Sequence, residues 1–237
     1  FRPGRVLLAR YVRYSTPVVL NETLWGLGTA LYPTIMGYMD GSTEILAAYA
    51  ISGNIEKVCT VIVFAIAGTA AVIIGREIGA GRLDTVYDTG RTLNTLSFLA
   101  GLTVGVLGIL GTLYFISPVV YPNFGLSREA QDIATMMLLV TFSFLSVRSF
   151  NTTNIVGVLR GGGDVRAATL NDVLPLWCFA LPLSAFFGLV LKLDIFWVYL
   201  SISLENVVKF FIGLWRFRSG AWIHDVTQVS YQKNDPS

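Results

Sequence analysis

Six stretches of this sequence, at about 14–38, 46–75, 92–115, 131–156, 169–190 and 195–215, are mainly apolar over twenty residues or more. A helix rises about 1.5 Å per residue, so about 20 apolar residues cross the hydrocarbon of a bilayer. The second and fourth stretches are long enough to tilt or bend. Charge is scarce, 14% of all residues against roughly 25% in a soluble domain, and it gathers in the connections. The expected fold is an all-α integral membrane bundle of six transmembrane helices over 1–218, followed by a polar tail at 219–237.

The basic residues orient this bundle. Arg2, Arg5, Arg10 and Arg13 precede the first span, Arg76, Arg82 and Arg91 follow the second, Arg160 and Arg166 follow the fourth, and Arg216, Arg218 and Lys233 follow the sixth. The opposite connections hold Arg128 and Lys192. An excess of Arg and Lys marks the cytoplasmic side, so both termini of this segment are expected there, in a multi-pass protein of the cell membrane. The outer loop 116–130, with Pro118 and Pro122, is the longest on its side, and part of 76–91 is expected to lie as a short helix along the interface.

Several functions are excluded or disfavoured on composition and motif. A net charge of +2 without a basic, aromatic-interleaved stripe argues against nucleic acid. Cys59 and Cys178 stand alone in apolar runs and imply no disulfide framework. No HExxH, GxSxG or P-loop lysine motif occurs, and His224 reads as a solvated residue, so neither an enzyme nor a cofactor is expected. The chain opens Phe1-Arg2-Pro3 without Met and reads as starting partway through a longer gene product.

The chemistry-bearing residues are the ionisable ones inside the spans: Glu22, Glu56, Lys57, Arg148, Asp172, Glu205 and Lys209. Lipid cannot solvate them, so they belong in the bundle interior or against a watery cavity. Glu22 and Arg148 each lie eight residues from a cytoplasmic span end, roughly 12 Å deep, and would neutralise each other if their helices face. Glu56 and Glu205 lie near mid-membrane. Lys57 adjoins one, and Lys209 follows the other by one helical turn, on the same face as its acid. Asp172 and Lys209 make a second candidate pair, and this set reads as a network holding the bundle together.

Glu22 differs because it stands between two prolines expected to act as hinges, Pro17 and Pro33, with Asn21 and Thr23 beside it. Such a carboxylate is a candidate proton or sodium site. Asn151, Thr152, Thr153 and Asn154 put a polar patch near Arg148, which serves either water, ion or substrate binding or interhelical hydrogen bonding. The turn Arg160-Gly161-Gly162-Gly163-Asp164 is expected to be a cytoplasmic hairpin between two spans. Gly101, Gly105, Gly108 and Gly111 give the third span a small-residue face for close packing.

Taken in order, Pro17 and Glu22, Ala47-Ala48-Tyr49 with Ile55-Glu56, Gly75 with Gly79-Ala80-Gly81-Arg82, the Arg160–Asp164 turn, Asp172 with Trp177 and Pro182, Glu205 with Lys209, and Arg218-Ser219-Gly220-Ala221-Trp222 resemble the C-terminal half of a multidrug and toxic compound extrusion (MATE) transporter. The resemblance covers nearly the whole chain. It implies the second six-helix lobe of a twelve-helix antiporter that exports organic cations and amphipathic compounds against proton or sodium uptake. It also implies a second lobe as partner and a half cavity containing Glu22, Asn21, Arg148, Ser149, Asn151 and Asn154. Some members pair the carboxylate at the Glu22 position with an aspartate near Ser149, where this chain has Arg148-Ser149 instead. The alternatives are a lipid-linked saccharide flippase of the same superfamily and a structural or assembly subunit that transports nothing.

Overall fold

The structure, a computed structural model, describes residues 5–224. Arg2, Lys233 and the tail beyond His224 lie outside the described residues. The chain is helical almost throughout, since apolar sequence with few breakers leaves the backbone only its own hydrogen bonds. Helix α1 runs Arg5–Gly37, α2 Ser42–Gly79 and α3 Leu83–Gly111. Next come α4 Arg128–Ser143, α5 Leu145–Thr152, α6 Val165–Pro175, α7 Leu181–Ala185 and α8 Ile195–Arg218. Wide helical turns at 112–120, 153–159, 176–180 and 186–190 extend α3, α5, α6 and α7. All six expected stretches are therefore helical, in the expected order.

Four helical segments are long and apolar enough to cross a membrane: Ser42–Gly79, Leu83–Phe124, Val165–Val190 and Ile195–Arg218. A fifth is obtained if Arg128–Ser143 and Leu145–Leu159, bent by 54° at Phe144, count as one span. Beside the bend the Ser143 hydroxyl donates to the Leu139 carbonyl at 2.7 Å, a back-bond of the kind that bends helices. Helix α1 has 33 residues, ample in length, but is not among the helices apolar enough to count. The structure thus supports a bundle of four or five long apolar helices where six were expected from the sequence.

Two connections depart from expectation. No separate interfacial helix forms within 76–91, because α2 continues to Gly79 and α3 begins at Leu83. Gly81, at φ +73, takes the left-handed conformation that turns the chain there. The loop 116–130 is largely helical, wound as the wide turn Thr112–Val120 around Pro118 and the tight turn Tyr121–Phe124. Pro17 and Pro33 sit inside an unbroken α1.

Helix α2 packs on α3, α4 and the 153–159 turn, while α8 packs on α4, α5, α6 and α7. Close approach of α3 to α4 and α5 depends on missing side chains. A Cβ on Gly101 would lie 2.8 Å from the Leu145 carbonyl oxygen, and one on Gly105 would lie 2.6 Å from that of Phe142. Helix α1 leans on α6 and α7, where Tyr32 and Ile35 meet Leu176, Ala180 and Leu181. One apolar cluster joins Met36, Ala48, Met137, Leu145 and Val198. Another joins Ile74, Val86, Leu159, Phe217 and Trp222. Along α8, Ser201, Ser203, Glu205 and Lys209 are buried between the parts that enter these two clusters.

Candidate functional site

The polar layer between the apolar clusters consists of two arrangements. In the first, the fourth-span patch makes hydrogen bonds between helices. The Ser149 hydroxyl donates to the Ser97 carbonyl at 2.7 Å, and Thr153 Oγ1 donates to Ser97 Oγ at 2.7 Å. Asn94 Nδ2 donates to Asn154 Oδ1 at 3.0 Å, Asn154 Nδ2 to the Gly213 carbonyl at 3.2 Å, and Asn151 Nδ2 to the Asn206 carbonyl at 2.7 Å. Ser149, Asn151 and Asn154 are buried. Their hydrogen bonds join α5 and the 153–159 turn to α3 and α8.

The second arrangement is a run of ionisable groups on α1, α6 and α8, joined by Arg160 from the turn before α6. Lys209 Nζ lies 2.8 Å from Asp172 Oδ1 and 2.5 Å from Glu205 Oε1. Tyr32 Oη donates to the other oxygen of Glu205 at 3.0 Å, and Asn21 Nδ2 donates to Asp172 Oδ2 at 3.0 Å. Arg160 Nη2 approaches Asp172 at 3.9 Å, and Arg160 Nη1 donates to Glu22 Oε1 at 2.8 Å. Glu205 and Lys209 are buried, whereas the Glu22 side chain is 56% exposed. The run therefore leads from an accessible carboxylate to an enclosed one.

Arg148 pairs with Glu56 and not with Glu22. Equal depth does not make two helices face each other, and the Arg160 side chain, only 13% exposed, reaches back from the turn to take Glu22. Lys57 is exposed on α2 and has no ion-pair partner among the described residues. Glu22, with Arg160 as its partner, is thus not gathered with Arg148, Ser149, Asn151 and Asn154 into the expected single cluster. Among the described residues no group of three or more His, Cys, Asp or Glu is placed to hold a metal ion.

Reasoning from the sequence missed Arg160 and Tyr32. Arg160 read as a loop residue, though a long cationic side chain at a span end can reach into or out of the bundle. Tyr32 follows Asn21 by eleven residues, three helical turns, which places both on one face of α1. A cavity of about 590 Å³ opens elsewhere, lined by Tyr38, Asp40, Glu129, Asp132, Lys192 and Asp194 among others. None of the expected site residues lines it.

Long apolar helices with ion pairs and amide hydrogen bonds enclosed between them define a multi-pass membrane protein. The chain belongs to the MatE family, whose model matches residues 17–186. It is 26% identical over 142 residues to the probable multidrug resistance protein NorM of Halalkalibacterium halodurans, covering 59% of this chain and 29% of that protein. Its fold is similar to the outward-facing conformation of a multidrug resistance MATE family transporter of the MOP superfamily, with TM-score 0.78 and 22% identity over 95% of this chain and 48% of that one. It is also similar to the MATE transporter ClbM in complex with Rb+, with TM-score 0.78 and 18% identity over 91% and 49% of the two chains. A third similar structure is a MOP superfamily transporter from Pyrococcus furiosus whose binding pocket has reversed polarity, with TM-score 0.75 and 23% identity over 95% and 48%. The chain thus spans about half the length of these solved transporters.

Proposed function

We propose that this chain forms the C-terminal six-helix lobe, residues 1–218, of a secondary active transporter that exports organic cations or amphipathic drugs in exchange for protons or sodium. The observation that carries this reading is the family match over residues 17–186. The match to half of each solved transporter supports a second lobe that completes the cavity. The Arg and Lys asymmetry supports cytoplasmic placement of both ends of the segment. In alternating access the two lobes rock against each other, and an ion biases that motion only by binding one state more tightly.

In this reading Glu22 is the accessible coupling carboxylate, and Arg160 is the counter-charge that a proton or sodium ion would displace. The test is export of a fluorescent organic cation from vesicles containing the full-length protein, under imposed proton or sodium gradients, with Glu22→Gln alongside. Gradient-driven export that falls at least tenfold in normally folded E22Q supports coupling through this lobe. Unchanged export in E22Q moves coupling elsewhere, and export under neither gradient favours a flippase or an assembly subunit.

A further inference from the structure

Three asparagines and one glycine stand together where α3, the 153–159 turn, α6 and α8 meet. A Cβ on Gly213 of α8 would lie 2.8 Å from Asn171 Nδ2 and 2.9 Å from Asn154 Nδ2, so both side chains converge on one point beside that helix. Asn154 Nδ2 donates to the Gly213 carbonyl at 3.2 Å, and Asn94 joins from α3 by donating to Asn154 Oδ1 at 3.0 Å. Asn94 and Asn171 are each 3% exposed and Asn154 is fully buried.

Their hydrogen bonds do not add up. Asn154 uses both ends of its amide, but Asn94 Oδ1 and both polar atoms of Asn171 have no partner among the described residues. A buried amide in that position is costly, and such groups nearly always find a partner. Turning the amides over does not supply one. Reversing Asn171 only exchanges its two unpartnered atoms. Reversing Asn94 sets its oxygen against Asn154 Oδ1, and reversing Asn154 as well gives up the Gly213 carbonyl.

The partner these atoms require has a definite chemistry. It must donate to Asn94 Oδ1 and Asn171 Oδ1 and accept from Asn171 Nδ2. A cation satisfies oxygens alone and would meet two amide N–H2 groups turned toward the same point. An anion would satisfy neither oxygen. Water, with two protons to give and two lone pairs, serves all three atoms.

We infer that Asn94, Asn154 and Asn171 enclose a binding site for an ordered water molecule beside Gly213. Direct bonds already tie α3 and the 153–159 turn to α8 through Asn94, Asn154 and the Gly213 carbonyl. Asn171 of α6 has no such bond, so the water is what joins α6 to that set. The joint lies one helical turn along α8 from Lys209, which holds α6 through Asp172 at 2.8 Å. It does not rest on the transport reading.

The test is a density map of the full-length protein in lipid nanodiscs, at a resolution that shows ordered water, from preparations with sodium and with choline as the buffer cation. Both should show one peak within about 2.7–3.2 Å of the Asn171 amide and of Asn94 Oδ1. Asn171→Leu keeps the volume without the polar atoms. It should lose the peak and lower the thermal unfolding midpoint by about 3 °C, because Asn94 and the water then lack a partner. An Asn171 amide buried without water would give the opposite sign, since the substitution would remove an unsatisfied group and raise the midpoint. The inference is overturned by a wild type without the peak, by a peak that requires sodium, by a direct bond between Asn171 and Asn94, or by an N171L midpoint at or above wild type. If N171L fails to fold, the wild-type peak decides alone.

Discussion

At the residue scale, Lys209 is the side chain on which most depends, since it alone stands between Asp172 and Glu205. Removing one partner of a buried ion pair costs about 3–5 kcal/mol, because the other is left unpaired. Lys209→Met should therefore destabilise the purified protein by about that amount in thermal or denaturant unfolding, and E205Q added to it should recover a large part. The Asp172–Lys209 and Glu205–Lys209 proximities were legible in the sequence because one follows from depth and the other from helical spacing. The partner of Arg148 was not. Depth counted from span ends carries no information about the direction in which a side chain points, and the 54° bend at Phe144 redirects the helix that carries Arg148.

At the scale of elements, the glycine face of α3 was readable from spacing alone, but its members are not equivalent. A Cβ on Gly105 meets the Phe142 carbonyl at 2.6 Å, whereas one on Gly111 meets nothing within 4 Å. Gly105→Leu should sharply reduce the monodisperse fraction in detergent size-exclusion chromatography, and Gly111→Leu should leave it near wild type. The Arg160–Asp164 turn was expected as a hairpin from its glycines, and Gly163 indeed takes φ +89 there. The sequence could not show what closes over it. Trp222, fully buried, packs on Gly90, Gly162 and Phe217, its indole donates to the Phe217 carbonyl at 3.0 Å, and Arg216 Nε donates to Asp164 at 2.6 Å. Trp222→Ala should cost about 3–5 kcal/mol in unfolding experiments, a large effect for a residue expected to lie in a tail.

At the scale of the molecule, apolar length announced a membrane bundle, and the order of its helical segments was legible throughout. The first helix, expected as a span, falls outside the helices apolar enough to count, because Asn21, Glu22 and other polar residues dilute its apolar sequence. Orientation can be checked directly. In a background lacking Cys59 and Cys178, a cysteine at Ser219 should react with a membrane-impermeant thiol reagent only from the cytoplasmic face, and one at Ser127 only from the opposite face. Labelling of both from one side would refute the proposed topology. The Trp222 contact also sets an order of assembly. The hollow it fills is bounded by Gly90 of α3 and Gly162 of the Arg160–Asp164 turn, both synthesised well before it, so that end of the bundle stays unsealed until Trp222 has left the ribosome. A chain ending just before Trp222 would carry all the long helices described above and still leave that hollow open to solvent.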